Sequence, residues 1–252
     1  MAMLSIIDYL KFPANILIAA VWVAVLLFLY CKKRESRVVR FMLSKRATIG
    51  SFVAIIVGAL GVAFIPNFSS SLIFILILLF VLNNLLFVIF RGCRDKRGIR
   101  LRFMLNHIGL WLALFAGFIG AADTKELNVR VFRDAPTNEA FDKNGERTFL
   151  DYKLMLHSFN VEYSTNGIPS NYEARVIIDK ETALLKINQP HSHRLFEDIY
   201  LTDYDIAGGN NVQYCTVKII YSPWKYPMLM GIIMMLCGAA LLFIQGPKRA
   251  EL

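Results

Sequence analysis

The sequence predicts a polytopic α-helical membrane protein with about five transmembrane helices. An antiparallel β-rich extracytoplasmic domain, sandwich-like or barrel-like, is inserted before the last helix. Three observations predict this fold class. The 252 residues are 56% hydrophobic with a mean hydropathy of +0.48, the apolar residues cluster in five long segments, and residues 122–224 instead show short alternating runs. This pattern is typical of a membrane protein rather than a soluble domain.

Five apolar segments are long enough to cross a bilayer, which takes about 20 residues. None of them contains Lys, Arg, Asp or Glu. We expect the first not to be a cleavable signal peptide, because it lacks a basic start and a small-residue cleavage site and is followed by the basic cluster Lys32–Arg34. The predicted spans are residues 13–30, 47–65, 72–90, 103–120 and 227–244.

Basic residues in the short loops predict the orientation. Residues 31–46 contain seven basic residues and one acidic residue, and residues 91–102 contain six basic residues and one acidic residue. Residues 66–71 carry no charge. Positively charged loops stay in the cytoplasm. We therefore expect both basic loops inside, together with a cytoplasmic tail. The other predicted parts are an outside N-terminal segment over 1–12, an extracytoplasmic domain over 121–226 and the tail over 245–252.

The net charge of +9 follows from the same topology. Residues 122–224 carry a net charge of −4, so the remainder carries +13, mostly in the two basic loops. Such charge sets orientation and is suited to contact with anionic lipid. We therefore expect no nucleic-acid partner, although the isoelectric point is near 9.4.

The extracytoplasmic domain has short strands and no catalytic motif. Turn signals such as KNGE at 143–146 separate the strands, and no GxSxG, HExxH, P-loop or dinucleotide fingerprint occurs. Because the domain is inserted between the fourth and fifth spans, we expect those two helices to be neighbours or near-neighbours. The predicted strands are residues 127–132, 152–163, 172–179, 183–188 and 212–221.

Four residues of this domain are candidates for chemistry. Cys215 is the only one of the four cysteines predicted to lie outside, so we favour a buried strand residue over a reactive thiol. If they lie in a strand, His191 and His193 would share one face and could bind a metal ion or the edge of a haem. The favoured interpretation is a polar loop after a strand end. His157 alternates with two leucines and is expected to face outward.

Polar residues inside the apolar segments are the most informative ones. Asn83 and Asn84 indicate interhelical hydrogen bonds, with contact to a polar ligand as the alternative. His107 follows Arg102 by five residues, about 7–8 Å along a helix, and is expected to be neutral. Neutral imidazole can ligate haem iron, although a structural histidine is favoured from the residues alone. Small residues nearby permit close approach of a helix or a flat ring: Gly109, Gly117 and Gly120.

Six stretches follow one another in an order typical of a known family: LSKRATIGSFVAIIVGALGVAFIP, LIFILILLFVLNNLLFVIFRGCR, HIGLWLALFAGFIG, FLDYKLMLHSFNVEYSTNGIPSNYEARVIID, KINQPHSHRLFEDIYLTDYD and SPWKYPMLMGIIMMLCGAALLFI. From about residue 43 to 243 the chain resembles the ResB/CcsB family, the membrane component of system II cytochrome c biogenesis. It departs from the family in its extra leading helix (13–30), in having His191 where the N-x-P-L run has Leu, and in lacking the Trp-rich segment of the CcsA component.

The resemblance implies a cytochrome c assembly factor of the bacterial inner membrane. With a CcsA-type partner, such a factor binds and exports haem b and presents reduced haem to apocytochrome c, and a thioredoxin-like reductant is a further implied partner. It also implies that His107 is an axial haem ligand. Arg100 and Arg102 could contact the haem propionates, against the plainer interpretation that they anchor the helix.

Two other functions remain open, and we do not expect catalysis by this chain alone. One is an extracytoplasmic scaffold that docks apocytochrome or thiol reductant through the surface 188–200, without ligating haem. The other is an unrelated receptor or transporter subunit with an extracytoplasmic sensing domain.

Overall fold

The computed structural model describes residues 11–94, 100–166, 169–208 and 211–245. The chain divides into two compact units. The helical unit consists of residues 1–122 and 224–252, and the sheet unit consists of residues 123–223. Most of the predicted N-terminal segment and nearly all of the predicted cytoplasmic tail lie outside the described residues.

Helices of two kinds form the helical unit. All but one short helix, α2 (Arg37–Met42), are long and apolar enough to cross a membrane. The prediction of five such segments is therefore confirmed. They exceed the predicted spans because the helical backbone continues through flanking charged residues. The short α2 was missed, since it lies within a basic loop. The helices are α1 (Ala14–Lys32), α2 (Arg37–Met42), α3 (Lys45–Phe64), α4 (Leu72–Cys93), α5 (Leu101–Asp123) and α6 (Lys225–Gln245).

Serine caps define where three of these helices begin. The hydroxyl of Ser36 accepts a hydrogen bond from the Val39 backbone N–H at the start of α2. Ser44 and Ser71 do the same at the starts of α3 and α4. Each hydroxyl satisfies one of the backbone donors that have no partner within the helix.

Helices α5 and α6 pack together at glycines. A Cβ atom added to Gly109 would lie 2.7 Å from the Gly231 carbonyl oxygen, and one added to Gly238 would lie 2.7 Å from the Asn106 side chain. Such contacts require small residues, because they bring two backbones within van der Waals distance. The expectation that these two helices are neighbours is therefore correct. Gly117, by contrast, faces open space.

The sheet unit has eight described strands: β1 (Lys125–Phe132), β2 (Thr137–Asp142), β3 (Arg147–Tyr163), β4 (Pro169–Ile178), β5 (Glu181–Lys186), β6 (His191–Arg194), β7 (Glu197–Tyr204) and β8 (Tyr214–Tyr221). They form one antiparallel sheet in the order β5-β4-β3-β2-β1-β8-β7-β6. Each predicted strand is present within a few residues of its expected position. The prediction missed β2 and β7, which are rich in polar residues, and β6, which is short and lies at the edge.

The sheet curls around one core. Buried side chains from seven of its strands form a single apolar cluster, and β5 at one end of the sheet lies close to β6 and β7 at the other. Alternation along β3 buries Leu154 and Leu156 and exposes His157, as predicted. An antiparallel sheet is thus established, while the choice between sandwich and barrel stays a prediction.

The glycine contact between α5 and α6 yields a test of the helix packing. Gly109→Leu should destabilise the helical unit by about 1–3 kcal/mol, because the new side chain meets a backbone carbonyl that cannot move aside. Gly117→Leu is the matched control, since it adds the same side chain to the same helix in open space. Thermal unfolding in detergent should show a lower midpoint for the first variant only. Equal midpoints would contradict this packing.

Candidate functional site

His107 lies six residues into α5, about 9 Å from the start of the helix. Its side chain is half-buried. The imidazole stacks on the Phe103 ring one turn earlier, with 3.9 Å between ring centroids and an interplanar angle of 28°. The stacking limits rotation of the imidazole and so fixes where its nitrogens point.

A backbone hydrogen bond sets the tautomer of His107. Its Nδ1 lies 2.8 Å from the Phe103 carbonyl oxygen. Because a carbonyl only accepts hydrogen bonds, Nδ1 must carry the proton and donate it. In a neutral imidazole with this tautomer, the lone pair lies on Nε2. An imidazole held in this way by its other nitrogen is the usual arrangement for a histidine that ligates a metal.

A small cavity of about 100 Å³ lies beside His107. Sites for drug-sized ligands occupy about 300–1,000 Å³, so this cavity is too small to enclose a porphyrin. A flat macrocycle bound to His107 would therefore need further space outside the cavity. The cavity is lined by Thr48, Ser51, Phe52 and Ile55 of α3, by Val81, Asn84, Leu85 and Val88 of α4, and by His107, Leu110 and Leu114 of α5.

The two asparagines of α4 bind neighbouring segments. Asn84 donates to the Met42 carbonyl oxygen at 2.8 Å and accepts from the Ser51 hydroxyl at 3.2 Å. Asn83 accepts from the Trp22 indole N–H at 3.1 Å. These contacts use the amides to hold α4 against α1 and α3 and the end of α2. They support the interpretation that both residues make interhelical hydrogen bonds.

Aromatic rings continue along α5 from His107. Trp111 lies one turn further and stacks on Phe115, with centroids 4.8 Å apart and an interplanar angle of 7°. Trp22 of α1 contacts both rings. Within the described part of the chain, the buried Trp111 indole N–H has no hydrogen-bond partner.

The two arginines ahead of His107 are placed differently. Arg100 is exposed immediately before α5, and Arg102 is half-buried in its first turn. Among the described residues, neither lines the cavity beside His107. The helix therefore places both cationic residues on one side of His107 along its axis, while their contact with propionates stays a prediction.

A polar cluster in the sheet unit was missed by the sequence analysis. Arg194 donates to both carboxylate oxygens of Asp151, at 3.1 and 2.9 Å, and Tyr152 donates to Glu197 at 2.8 Å. The hydrogen bond from Arg194 lowers the pKa of the Asp151 carboxyl. Burial, followed by the hydrogen bond to Glu197, raises the pKa of Tyr152. The Asp151–Arg194 pair is not predictable from the sequence, because the two residues lie 43 positions apart and only the fold brings them together.

The two neighbouring histidines lie in strand β6, so the favoured interpretation of a polar loop is wrong. The peptide groups of His191–Arg194 pair with β7, which places His191 and His193 on one half-buried face. The centroid of the His193 ring lies 4.7 Å from that of the Tyr152 ring. His193 also lines an open cleft of about 800 Å³. In the described ranges, no group of three or more His, Cys, Asp or Glu residues could hold a metal ion.

Residues 97–218 match the model of the ResB-like family. We call this part of the chain the ResB-like region. The resemblance identified from the sequence is thus confirmed. The ResB-like region contains His107, strands β1 to β7 and the first half of β8. This match points to a role in cytochrome c biogenesis.

Other comparisons add little to the ResB-like assignment. No curated protein matches the sequence. Among solved structures, "Cytochrome c Heme Lyase CcmF" is similar at a TM-score of 0.44 and 13% sequence identity, over 81% of this chain and 35% of the CcmF chain. The chain thus spans about a third of the length of that protein, and a likeness at this level carries no argument about mechanism.

Cys215 of the ResB-like region is a core residue of β8. Its side chain is fully buried, and burial raises the pKa of its thiol from 9.0 to about 12. The favoured interpretation of a buried strand residue therefore agrees with the structure. The protonated thiol is not a competent nucleophile near neutral pH.

Thiol labelling tests this assignment. At pH 8 a pKa of about 12 leaves about a thousandfold less thiolate than the ordinary value of 9.0. A variant retaining only Cys215 should react with maleimide at least about a hundredfold more slowly than one retaining only the exposed Cys93, because the Cys215 thiol is both buried and protonated. The stabilisation from the buried neutral thiol is complete below pH 9 and is lost as the pH rises towards 12. Equal labelling rates at pH 8 would overturn the assignment.

Proposed function

We propose that this chain is the ResB-type subunit of a cytochrome c assembly complex of the bacterial inner membrane. Together with a CcsA-type partner, it binds haem b, exports it and presents reduced haem for attachment to apocytochrome c. The observation that carries this proposal is the tautomer of His107. The Nδ1 proton is donated to the Phe103 carbonyl, which leaves Nε2 available as a ligand within the ResB-like region.

The proposed topology follows from charge and helix length. Helices α1, α3, α4, α5 and α6 span the membrane, with the N-terminus outside and both basic loops in the cytoplasm. The sheet unit, with its surplus of acidic residues, lies outside. This orientation places His107 in the half of the membrane nearer the cytoplasm, where haem would enter.

The size of the cavity supports a site shared between two chains. Haem is the cargo in this account, and the cavity beside His107 has a volume of only about 100 Å³. We infer that the porphyrin lies against the surface of the helical unit, with His107 on one side of the iron. The second axial ligand then comes from the CcsA-type partner.

Residues around His107 have distinct roles in this proposal. The Phe103 carbonyl keeps the proton on Nδ1, and the Phe103 ring holds the imidazole plane by stacking. The apolar lining from α3 and α4 keeps water away from the ring. Arg100 and Arg102 lie nearer the cytoplasmic side, where cationic groups would neutralise the two propionates as haem enters.

A scaffold function is the second candidate, and the cleft of the sheet unit favours it. In that account, the open cleft of about 800 Å³ beside His193 and Arg194 docks apocytochrome or a thioredoxin-like reductant. All haem contacts then belong to the partner. Substitutions within residues 188–200 would abolish cytochrome c maturation, whereas loss of the His107 imidazole would have a mild effect.

Haem retention distinguishes the two functions. In the complex purified with its partner, His107→Ala should lower the Soret absorbance per mole of protein by at least about tenfold, because one axial ligand is lost. Added free imidazole should restore part of the band by occupying the same position. His157→Ala is the matched control, since His157 is exposed on β3 and should leave the spectrum unchanged.

Three outcomes would contradict the ligand assignment. These are an unchanged Soret band in His107→Ala, an equal loss in the His157 control, or a loss that imidazole does not restore while the complex stays assembled. An unchanged band together with failed maturation on substituting residues 188–200 would support the scaffold function instead.

A further inference from the structure

Helix α2 and the start of α3 form a concave cationic surface. The shallow concavity has a volume of about 590 Å³ and is lined by Arg37, Arg40, Phe41, Ser44, Lys45 and Arg46. We name these six residues the α2–α3 basic surface. Its lining contains four cations and no acidic residue. Within the described part of the chain, none of the four has an ion-pair partner.

The backbone beneath this surface is held in place from α4. Asn84 donates to the Met42 carbonyl oxygen at 2.8 Å, and Arg91 donates to the Leu43 carbonyl oxygen at 3.0 Å. On its buried side, Val39 packs into a cluster with Tyr30 and Phe87. The four cations therefore project from a fixed connection between two apolar helices rather than from a loose loop.

Apolar side chains are exposed beside the cations. Val38 is 67% exposed and Phe41 is 50% exposed, and their spacing of three residues places them on one face of α2. Arg37 and Arg40, at the same spacing, form the adjacent face. A helix with exposed apolar and basic faces side by side suits the membrane boundary, where acyl chains meet phosphate groups.

The positive-inside rule does not explain this arrangement fully. That rule requires basic residues in the loop but does not require them to converge on one concavity. Lys45 and Arg46 also occupy the first turn of α3, where the helix dipole disfavours cations. A bound anion would offset both the dipole and the mutual repulsion of the four side chains.

We propose that the α2–α3 basic surface is a binding site for the phosphate of an anionic phospholipid. Arg37, Arg40, Lys45 and Arg46 contact the headgroup phosphate, while Val38 and Phe41 contact the start of the acyl chains. The site is independent of the haem function proposed above. It would anchor the connection between α1 and α3 at the membrane surface.

Lipid retention by the full-length protein tests this site. The protein is reconstituted in nanodiscs of equal phosphatidylglycerol and phosphatidylcholine, extracted in mild detergent, and its bound lipid is counted by native mass spectrometry. Wild-type protein should retain phosphatidylglycerol in preference to phosphatidylcholine. The double variant Arg37→Gln/Arg40→Gln should lower that preference by at least about tenfold, since each cation near the surface contributes about fivefold.

The matched control removes the same charge from the same loop. Lys32→Gln/Lys33→Gln leaves the basic surface intact and should keep the preference for phosphatidylglycerol. Equal loss in the two double variants would overturn the proposal. So would displacement of the lipid by 10 mM inorganic phosphate (roughly the scale of weak charge-assisted binding), because the ligand would then be a soluble phosphate.

A cross-linking measurement on the wild-type protein covers the case in which the double variant does not fold. A photoactivatable phosphatidylglycerol in the same nanodiscs should label the peptide that contains residues 37–46. The comparison peptide contains residues 66–71, the uncharged connection between α3 and α4. Equal labelling of the two peptides would contradict a specific site.

Discussion

The helical unit depends on one constraint: apolar surroundings offer no water to a buried polar group, so a partner within the protein stabilises such a group. Asn84 meets this requirement through Ser51 and the Met42 carbonyl, and Asn83 meets it through Trp22. Among the described residues, His107 meets it at Nδ1, through the Phe103 carbonyl oxygen. The paired polar atoms hold the helices together, and Nε2 of His107 is the nitrogen that we propose as the iron ligand.

Charge organises the protein on a larger scale. The two basic loops carry net charges of +6 and +5, while residues 122–224 carry −4. In the α2–α3 basic surface this charge is concentrated on a connection whose backbone is fixed by Asn84 and Arg91. Asn84 therefore contacts the backbone beneath the α2–α3 basic surface and also lines the cavity beside His107.

Much of the fold follows from the sequence because its signals are local. Runs without charge predict the five long helices, and alternating apolar residues predict the longer strands. Strands β2 and β7 were missed because their sequences are polar, and β6 because four residues at a sheet edge give little pattern. Their hydrogen bonds come from neighbouring strands, and a single segment does not contain that information.

The candidate site was predictable only in part. His107 stands out as an imidazole in an apolar helix. The resemblance to the ResB/CcsB family suggested the haem-ligand role that we propose for it. Its hydrogen bond to Phe103 lies one helical turn away and involves backbone, so residue types alone do not indicate it. The Asp151–Arg194 pair joins β3 to β6 across 43 positions, which only the tertiary structure brings together.

The central claim is that the protein holds His107 with its proton on Nδ1 and its Nε2 lone pair available. Solid-state ¹⁵N NMR measures this directly in membranes, using a variant in which the other three histidines, His157, His191 and His193, are replaced by Gln. The account predicts one protonated nitrogen, assigned to Nδ1, and an unprotonated Nε2. A protonated Nε2 with an unprotonated Nδ1, or protons on both nitrogens at pH 7, would contradict the claim.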